Sequence, residues 1–337
     1  MNCFDTIYGN EALKRTLRGF SKNRAYPNSF IISGIRGSGK YSIALICAMA
    51  IGCESGLPCG SCTSCRKIRD GICPDVITLG LSKDRKTIGI DSVRELCLEA
   101  YIAPNELKNK VYIIKDADKM TIQAQNALLK LFEEGPSNCY FILLAENSSL
   151  LLPTVRSRAP ELKTQSFDAQ TLDELLSQNC PKAEQIKRED PIAYKRILSA
   201  SGGSYGYALE LINGKNKKMY QSFERAEEIV SLMCEENGAP LLLALLSEST
   251  DRERFYTLLS LVRMGLSDMV QVKKCADVKL KLFADENKAK EISKRFTLKA
   301  LIDLLSVLSE YSEELVRTNV NIRTAAIHIY NKLTECK

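Results

Sequence analysis

The eight residues Gly34-Ile35-Arg36-Gly37-Ser38-Gly39-Lys40-Tyr41 constrain this chain more than any other segment. They follow a short apolar run, Ser29 to Ser33, and lead into a mostly apolar helical stretch, Lys40 to Ile51. Strand, glycine turn and helix in that order match G-x-x-x-x-G-K, in which backbone amides at a helix start cradle phosphates and the lysine reaches the outer oxygens. Gly34, Gly37, Gly39 and Lys40 are the candidate phosphate-contacting residues. Further apolar runs at 76–79, 111–114 and 140–145 are continuous, as in a parallel sheet covered on both faces. Helical patterns lie between them, one from an Asp91 N-cap to about Tyr101, another from Thr121 to about Gly135. The expected architecture is a doubly wound α/β sheet with its ligand edge at the carboxyl ends of the strands.

The loop departs from its pattern where chemistry is done. Position 41 needs a Ser or Thr hydroxyl for Mg²⁺, and Tyr41 carries its hydroxyl far from that point. The second strand, Val111 to Ile114, should end in a magnesium-facing carboxylate and a water-orienting one. Here it ends in Lys115 and Asp116, a positive charge followed by a short carboxylate. These losses favour an ATPase ancestor that no longer hydrolyses. A weakly active enzyme, or a glycine turn with no nucleotide history, stays open. The surviving glycines and Lys40 leave ATP binding without hydrolysis open as well.

Cys53, Cys59, Cys62 and Cys65 follow the first helix as C-x5-C-x2-C-x2-C, with Pro58 and Gly60 to make the turns. Four thiolates in so short a segment suit a closed tetrahedral Zn²⁺ site with a structural role. An iron–sulfur cluster on Cys59, Cys62, Cys65 and Cys73 is the rival, although its last gap is too long for the ferredoxin spacing. The start of the chain has no basic and apolar leader, and no segment nears the ~18 apolar residues of a membrane span. A cytoplasmic protein is expected, so metal ligation or burial explains 13 cysteines better than disulfides do. The single histidine, His328, lies in the apolar stretch Ala325 to Tyr330 and is expected at a core or interface. Histidine catalysis is thereby disfavoured. A net charge of +6 over 337 residues is too mild to mark a dedicated DNA binder.

Beyond about Phe167 the strand signal stops. Leu172 to Gln178, Glu184 to Ala200 and Ser204 to Ile212 read as short helices, and Phe223 to Cys234, Pro240 to Leu246, Phe255 to Val270 and Leu298 to Val316 as longer ones.

A resemblance then becomes specific. Lys110 to Ile114, Ala117-Asp118-Lys119-Met120-Thr121, Asn126-Ala127-Leu128-Leu129-Lys130, Glu133-Glu134 and Leu152-Pro153-Thr154-Val155-Arg156-Ser157-Arg158 together resemble the AAA+ clamp-loader subunits of bacterial DNA polymerase III. The stretch Ile90 to Leu96, the four-cysteine insertion, Gly202-Gly203-Ser204 with Ala208-Leu209, and Asn319-Val320-Asn321 are similar to the same family, so the likeness covers nearly the whole chain. It implies an AAA+ P-loop domain over 1–167 with a parallel sheet and a zinc module at 53–65, a helical lid domain over 168–213, and an all-α collar domain over 214–337 that joins a hetero-oligomer.

The family places an arginine in Ser-Arg-Cys and offers it across the subunit interface to a neighbour's ATP. The resemblance implies that Arg158 does this here, with Ala159 in the third position and Arg156 structural. The family's G-S-x-G-R-A-L reads Gly203-Ser204-Tyr205-Gly206-Tyr207-Ala208-Leu209, so Tyr207 lacks the nucleotide-touching charge. With positions 41 and 115 this argues for a non-hydrolysing member rather than the ATP-hydrolysing gamma/tau-type motor, the alternative. Implied partners are gamma/tau and delta subunits, and through the complex the sliding clamp and primed DNA, with no membrane. A second alternative is a zinc-dependent nucleic-acid module, supported by the knob and by Lys273, Lys274, Lys279, Lys281, Lys288, Lys290, Lys294 and Arg295. That basic stretch has no interleaved aromatics for base stacking and suits a solvated face.

Overall fold

Five strands form one parallel sheet: β1 (Ser29–Ser33), β2 (Val76–Leu79), β3 (Lys110–Ile114), β4 (Cys139–Ala145) and β5 (Glu161–Lys163), in the order β2-β3-β4-β1-β5. The computed structural model describes residues 3–81, 85–214, 217–235, 237–274, 280–283, 286–317 and 320–335; Lys279 and Asn319 lie outside them. β1, β3 and β4 are apolar along almost their whole length because side chains alternate onto two covered faces. Phe30, Ile32, Val111, Ile113, Ile142 and Leu144 join one core, with residues of α1 (Glu11–Asn23), α2 (Lys40–Gly52) and α3 (Thr63–Arg69). Ile31, Tyr112, Ile114, Phe141 and Leu143 join the other, with α4 (Ile90–Ala100), α5 (Ile122–Glu134) and the short α6 (Pro153–Arg156). Each fully buried Ile or Phe contributes about 1.5–3 kcal/mol, so this two-sided burial is what holds the sheet. Tyr112 and Phe141 stack on the second face with centroids 5.3 Å apart.

Several local readings need correction. α4 is capped by Gly89 in extended conformation, and Asp91 lies inside its first turn, where a carboxylate still favours the helix start. Gly135 does end α5, but with φ −70°, so no left-handed cap is made. It is glycine there because a Cβ would run into the Leu131 carbonyl. Thr121 caps α5 as expected, its hydroxyl accepting from the Ala124 amide at 3.2 Å. Glu184 to Ala200 is two helices, because Asp190 accepts from the Ala193 amide and starts a new one at Pro191.

The chain divides into two compact units, Met1–Asp168 with Ser204–Tyr207, and Ala169–Gly203 with Ala208–Lys337. In the second, the regular elements among the described residues are all helices: α7 (Ala169–Asn179), α8 (Pro181–Glu189), α9 (Pro191–Ala200), most of α10 (Tyr205–Ile212), α11 (Lys217–Leu232), α12 (Ala239–Glu248), α13 (Arg252–Lys274), α14 (Glu286–Lys294), α15 (Leu298–Arg317) and α16 (Ile322–Glu335). Phe223, Phe255, Leu266, Leu301 and Ile329 are among the residues of its main core. Asp268 is fully buried in it and accepts the Lys281 and Leu282 amides at 2.8 and 2.7 Å. His328 does not belong to this core: α16 turns Ala325, Ala326 and Ile329 inward and leaves His328 exposed. No helix among the described residues is long and apolar enough to cross a membrane.

Candidate nucleotide loop, metal centre and interface arginine

Because the strands are parallel, the segments leaving β1, β3 and β4 meet on one edge of the sheet. There Gly37, Gly39, Lys40, Tyr41, Ser42, Lys115, Asp116, Leu144, Glu146 and Gly206 line a cavity of about 310 Å³. Gly37 and Gly39 sit at φ +71° and +82°, and a Cβ on Gly37 would meet the Tyr207 amide and the Ser204 hydroxyl. Gly34 is equally constrained, since a Cβ would overlap Thr164 Oγ1. Ser204 donates to the Arg36 carbonyl at 2.6 Å and the Gly206 amide to the Gly37 carbonyl at 3.0 Å, so residues 204–207 brace the loop from outside.

The charges in this cavity are largely answered from within the chain. Lys40 Nζ donates to the carbonyls of Gly34 and Ile35 at 2.6 and 2.9 Å. Burial pushes its pKa down, while Glu146, Asp118 and Asp116 push it up. Lys115 Nζ lies over the ring of Tyr41, 3.7 Å from the centroid. Two departures read separately from the sequence are therefore one contact. A cation on an aromatic face contributes about 0.5–1 kcal/mol at an exposed site. It also places a fixed positive charge beside the point where a hydroxyl would have helped hold Mg²⁺. The third departure, Tyr207, lies beneath the Arg36 guanidinium, 5.5 Å from its ring centroid.

Two carboxylates complete the picture. Asp116 takes a left-handed backbone conformation and pairs with Lys119 at 3.3 Å. Asp118 accepts the amides of Glu146 and Asn147, each at 3.2 Å, and so fixes the exit of β4. Glu146 escaped the sequence reading, although it is the first polar residue after β4, the position that singled out Lys115 after β3. Thr164 was missed too, because its part in supporting Ser38 at 2.8 Å depends on the pairing of β5 with β1.

At the far end of α2 the four cysteines converge. Their sulfur atoms all lie within 4.8 Å of one another, with Cys53 to Cys59, Cys53 to Cys62 and Cys59 to Cys65 at 3.7, 3.8 and 3.9 Å. A tetrahedral site with metal–sulfur bonds of about 2.3 Å has sulfur–sulfur edges of roughly 3.8 Å. The donor set fits a metal. The Cys62 and Cys65 amides approach Cys59 and Cys62 Sγ at 3.4 Å each. Amide and hydroxyl donors hold the Cys59 thiol down to about 5, whereas burial raises Cys62 and Cys65. Cys53 completes this group and Cys73 does not, which favours the insertion's own four cysteines over the ferredoxin-like set.

Arg158 is not part of the cavity. Its carbonyl accepts from Ser29 Oγ at 3.0 Å, at the amino end of β1, whereas the loop leaves the carboxyl end roughly 13–17 Å away. Its Nε donates to Glu133 Oε1 at 2.5 Å and its Nη1 to the Thr154 carbonyl at 3.1 Å. Both side chains remain substantially exposed, at 38% and 48%. Glu133 was legible only as part of the resembling block; its pairing with Arg158 requires α5 and the turn after α6 to lie together.

A sequence profile for the family described as "DNA polymerase III, delta subunit" matches residues 9–189, more than half of the chain. The chain belongs to this family. Among curated relatives of this DNA polymerase III member, the tau subunit of Bacillus subtilis is 31% identical over 213 residues, covering 62% of this chain and 37% of the relative. The gamma subunit of Buchnera aphidicola (Schizaphis graminum) is 31% identical over 213 residues, covering 62% and 57%. The tau subunit of Escherichia coli is 29% identical over 281 residues, covering 78% and 43%. The chain thus spans between about a third and three-fifths of the length of these relatives.

Proposed function

We propose that this family member is a delta-prime-type clamp-loader subunit: it does not hydrolyse ATP itself, and it presents Arg158 to ATP held by a neighbouring gamma/tau subunit. The observation that carries this is the contact of Lys115 with Tyr41. It puts a tethered cation and a bulky ring where a working site needs a metal-binding hydroxyl and carboxylate. Lys40 is meanwhile engaged by its own loop carbonyls. Arg158 supports the second half of the reading, since it lies too far along β1 to serve its own loop and is half-exposed. A guanidinium offered in trans stabilises charge on the transferring phosphoryl. On this reading 168–213 is a lid, 214–337 joins the collar of a hetero-oligomer with gamma/tau and delta subunits, and the complex loads the sliding clamp on primed DNA. Cys53, Cys59, Cys62 and Cys65 hold structural Zn²⁺, which would supply a folding constraint and no catalysis.

The gamma and tau names of the relatives favour a second reading, an ATP-hydrolysing motor subunit. Turnover by the purified chain separates the two. The delta-prime reading expects no Mg-ATP hydrolysis above background; hydrolysis that disappears in Lys40→Ala would establish the motor.

A further inference from the structure

We propose that the loop cavity binds a di- or triphosphate chain without a divalent cation, Lys115 standing where the metal would otherwise neutralise it. This rests on the non-hydrolysing reading of the same site. Lys40 and Lys115 both line the cavity, with the positive-φ glycines Gly37 and Gly39 beside them. Lys115 has an aromatic face rather than a carboxylate as its partner among the described residues. An ammonium held over a ring is not committed to a carboxylate, so an incoming phosphate oxygen displaces no ion pair from it. Lys40 is different: its present partners are the neutral carbonyls of Gly34 and Ile35, which phosphate oxygens outbid because they carry the full negative charge that a carbonyl lacks.

The acidic groups at the cavity do not reverse this. Asp116 is paired with Lys119, and Asp118, which is outside the cavity lining, accepts the Glu146 and Asn147 amides through Oδ2 and leaves Oδ1 buried without a hydrogen-bond partner among the described residues. Glu146 alone faces the cavity as a carboxylate with no ion pair among the described residues. Of the lining carboxylates that one is left opposite two lysines, while Asp118 and Asp116 also act on Lys40. A divalent cation, by contrast, meets the Lys115 ammonium and finds no Ser or Thr hydroxyl at position 41. The cavity volume of about 310 Å³ lies at the lower end of the ~300–1,000 Å³ range of small-ligand sites, which suits a phosphate chain more than a fully enclosed nucleotide.

Isothermal titration of the full chain with ATP, ADP and inorganic tripolyphosphate, each in Mg²⁺ and in excess EDTA, tests this. Saturable binding in EDTA, at least as tight as in Mg²⁺, is expected. Tripolyphosphate binding as tightly as ATP identifies the phosphate chain as the determinant, while binding of ATP and ADP alone identifies a metal-free nucleotide. Lys115→Gln is expected to weaken binding roughly ten- to a hundredfold, the loss of one charge-assisted hydrogen bond. Tyr41→Ser combined with Lys115→Asp is expected to make binding depend on Mg²⁺. Binding that requires Mg²⁺ in the unaltered chain, no binding in either buffer, or full affinity in Lys115→Gln would overturn the proposal. Binding is read on the isolated chain and the Arg158 role in an assembled complex, so either fails without the other; Mg-ATP hydrolysis by the chain would sink the non-hydrolysing reading itself.

Discussion

If the cysteine knob holds Zn²⁺ as proposed, stripping it should destabilise the sheet domain by an amount set by the packing around α3. Three of the six sulfur separations, 3.7 to 3.9 Å, already lie near the roughly 3.8 Å tetrahedral edge, and all lie within 4.8 Å, so Zn²⁺ enters with displacements of about 1 Å or less. The site is also coupled to the core. Cys65 and Ile68, on α3, are 0% and 1% exposed and belong to the cluster that includes Phe30 and Ile113. Without metal, α3 is a seven-residue helix, far too short to persist on its own. Its loss would expose those two side chains, a cost of about 2–4 kcal/mol. For a domain of this size that corresponds to a fall in Tm of about 5–15 °C. The assay is elemental analysis of protein purified without chelator, followed by calorimetric unfolding before and after metal removal. One zinc per chain is expected. Cys59→Ser should lose it with the same fall in Tm, and Cys73→Ser should keep it. Iron in place of zinc, no bound metal, or an unchanged Tm after stripping would refute the reasoning.

Other expectations follow from single contacts. Gly37→Ala must accommodate a Cβ against the Tyr207 amide at φ +71°, and should cost about 1–3 kcal/mol by denaturant unfolding. Asp75, fully buried, accepts the Asn105, Glu106 and Leu107 amides at 2.7 Å each. Burial raises its pKa, but the three amides and Lys110 outweigh this and leave it below 3.8. A depressed folded value means that its contribution is present above 3.8 and disappears as pH falls through the lower folded value. Asp75→Asn should therefore lose about 1.5–3 kcal/mol at pH 7, with the gap to the native chain closing in acid; a gap that widens would contradict this.

The parts of the fold written as continuous apolar runs were legible: β1, β3 and β4 face two cores, and the short length and β-branched or aromatic content of Ile31-Ile32, Val111 to Ile114 and Phe141 to Leu144 favour buried parallel strands. β5 was not. Glu161-Leu162-Lys163 is three residues at a sheet edge, where charged side chains are the rule and the pairing with β1 supplies the signal. α1 was also missed, although Leu13 and Leu17 are buried, because it opens from Asn10 in a left-handed conformation with no side-chain cap. At the site, Tyr41 and Lys115 were each readable as a departure from a pattern. Their mutual contact was not, since it depends on β1 and β3 being held on either side of β4. The same limit applies to Arg158: the pattern around it names a candidate, and only the packing of α5 reveals Glu133 as the group that holds it.

The most direct measurement is ATP turnover by a clamp-loader complex reconstituted with this chain or with its Arg158→Ala form, after confirming equal assembly. If Arg158 acts on the adjacent subunit's ATP, clamp- and DNA-stimulated turnover at that site should fall by roughly 10³- to 10⁵-fold. Undiminished turnover in the fully assembled Arg158→Ala complex would contradict the trans role.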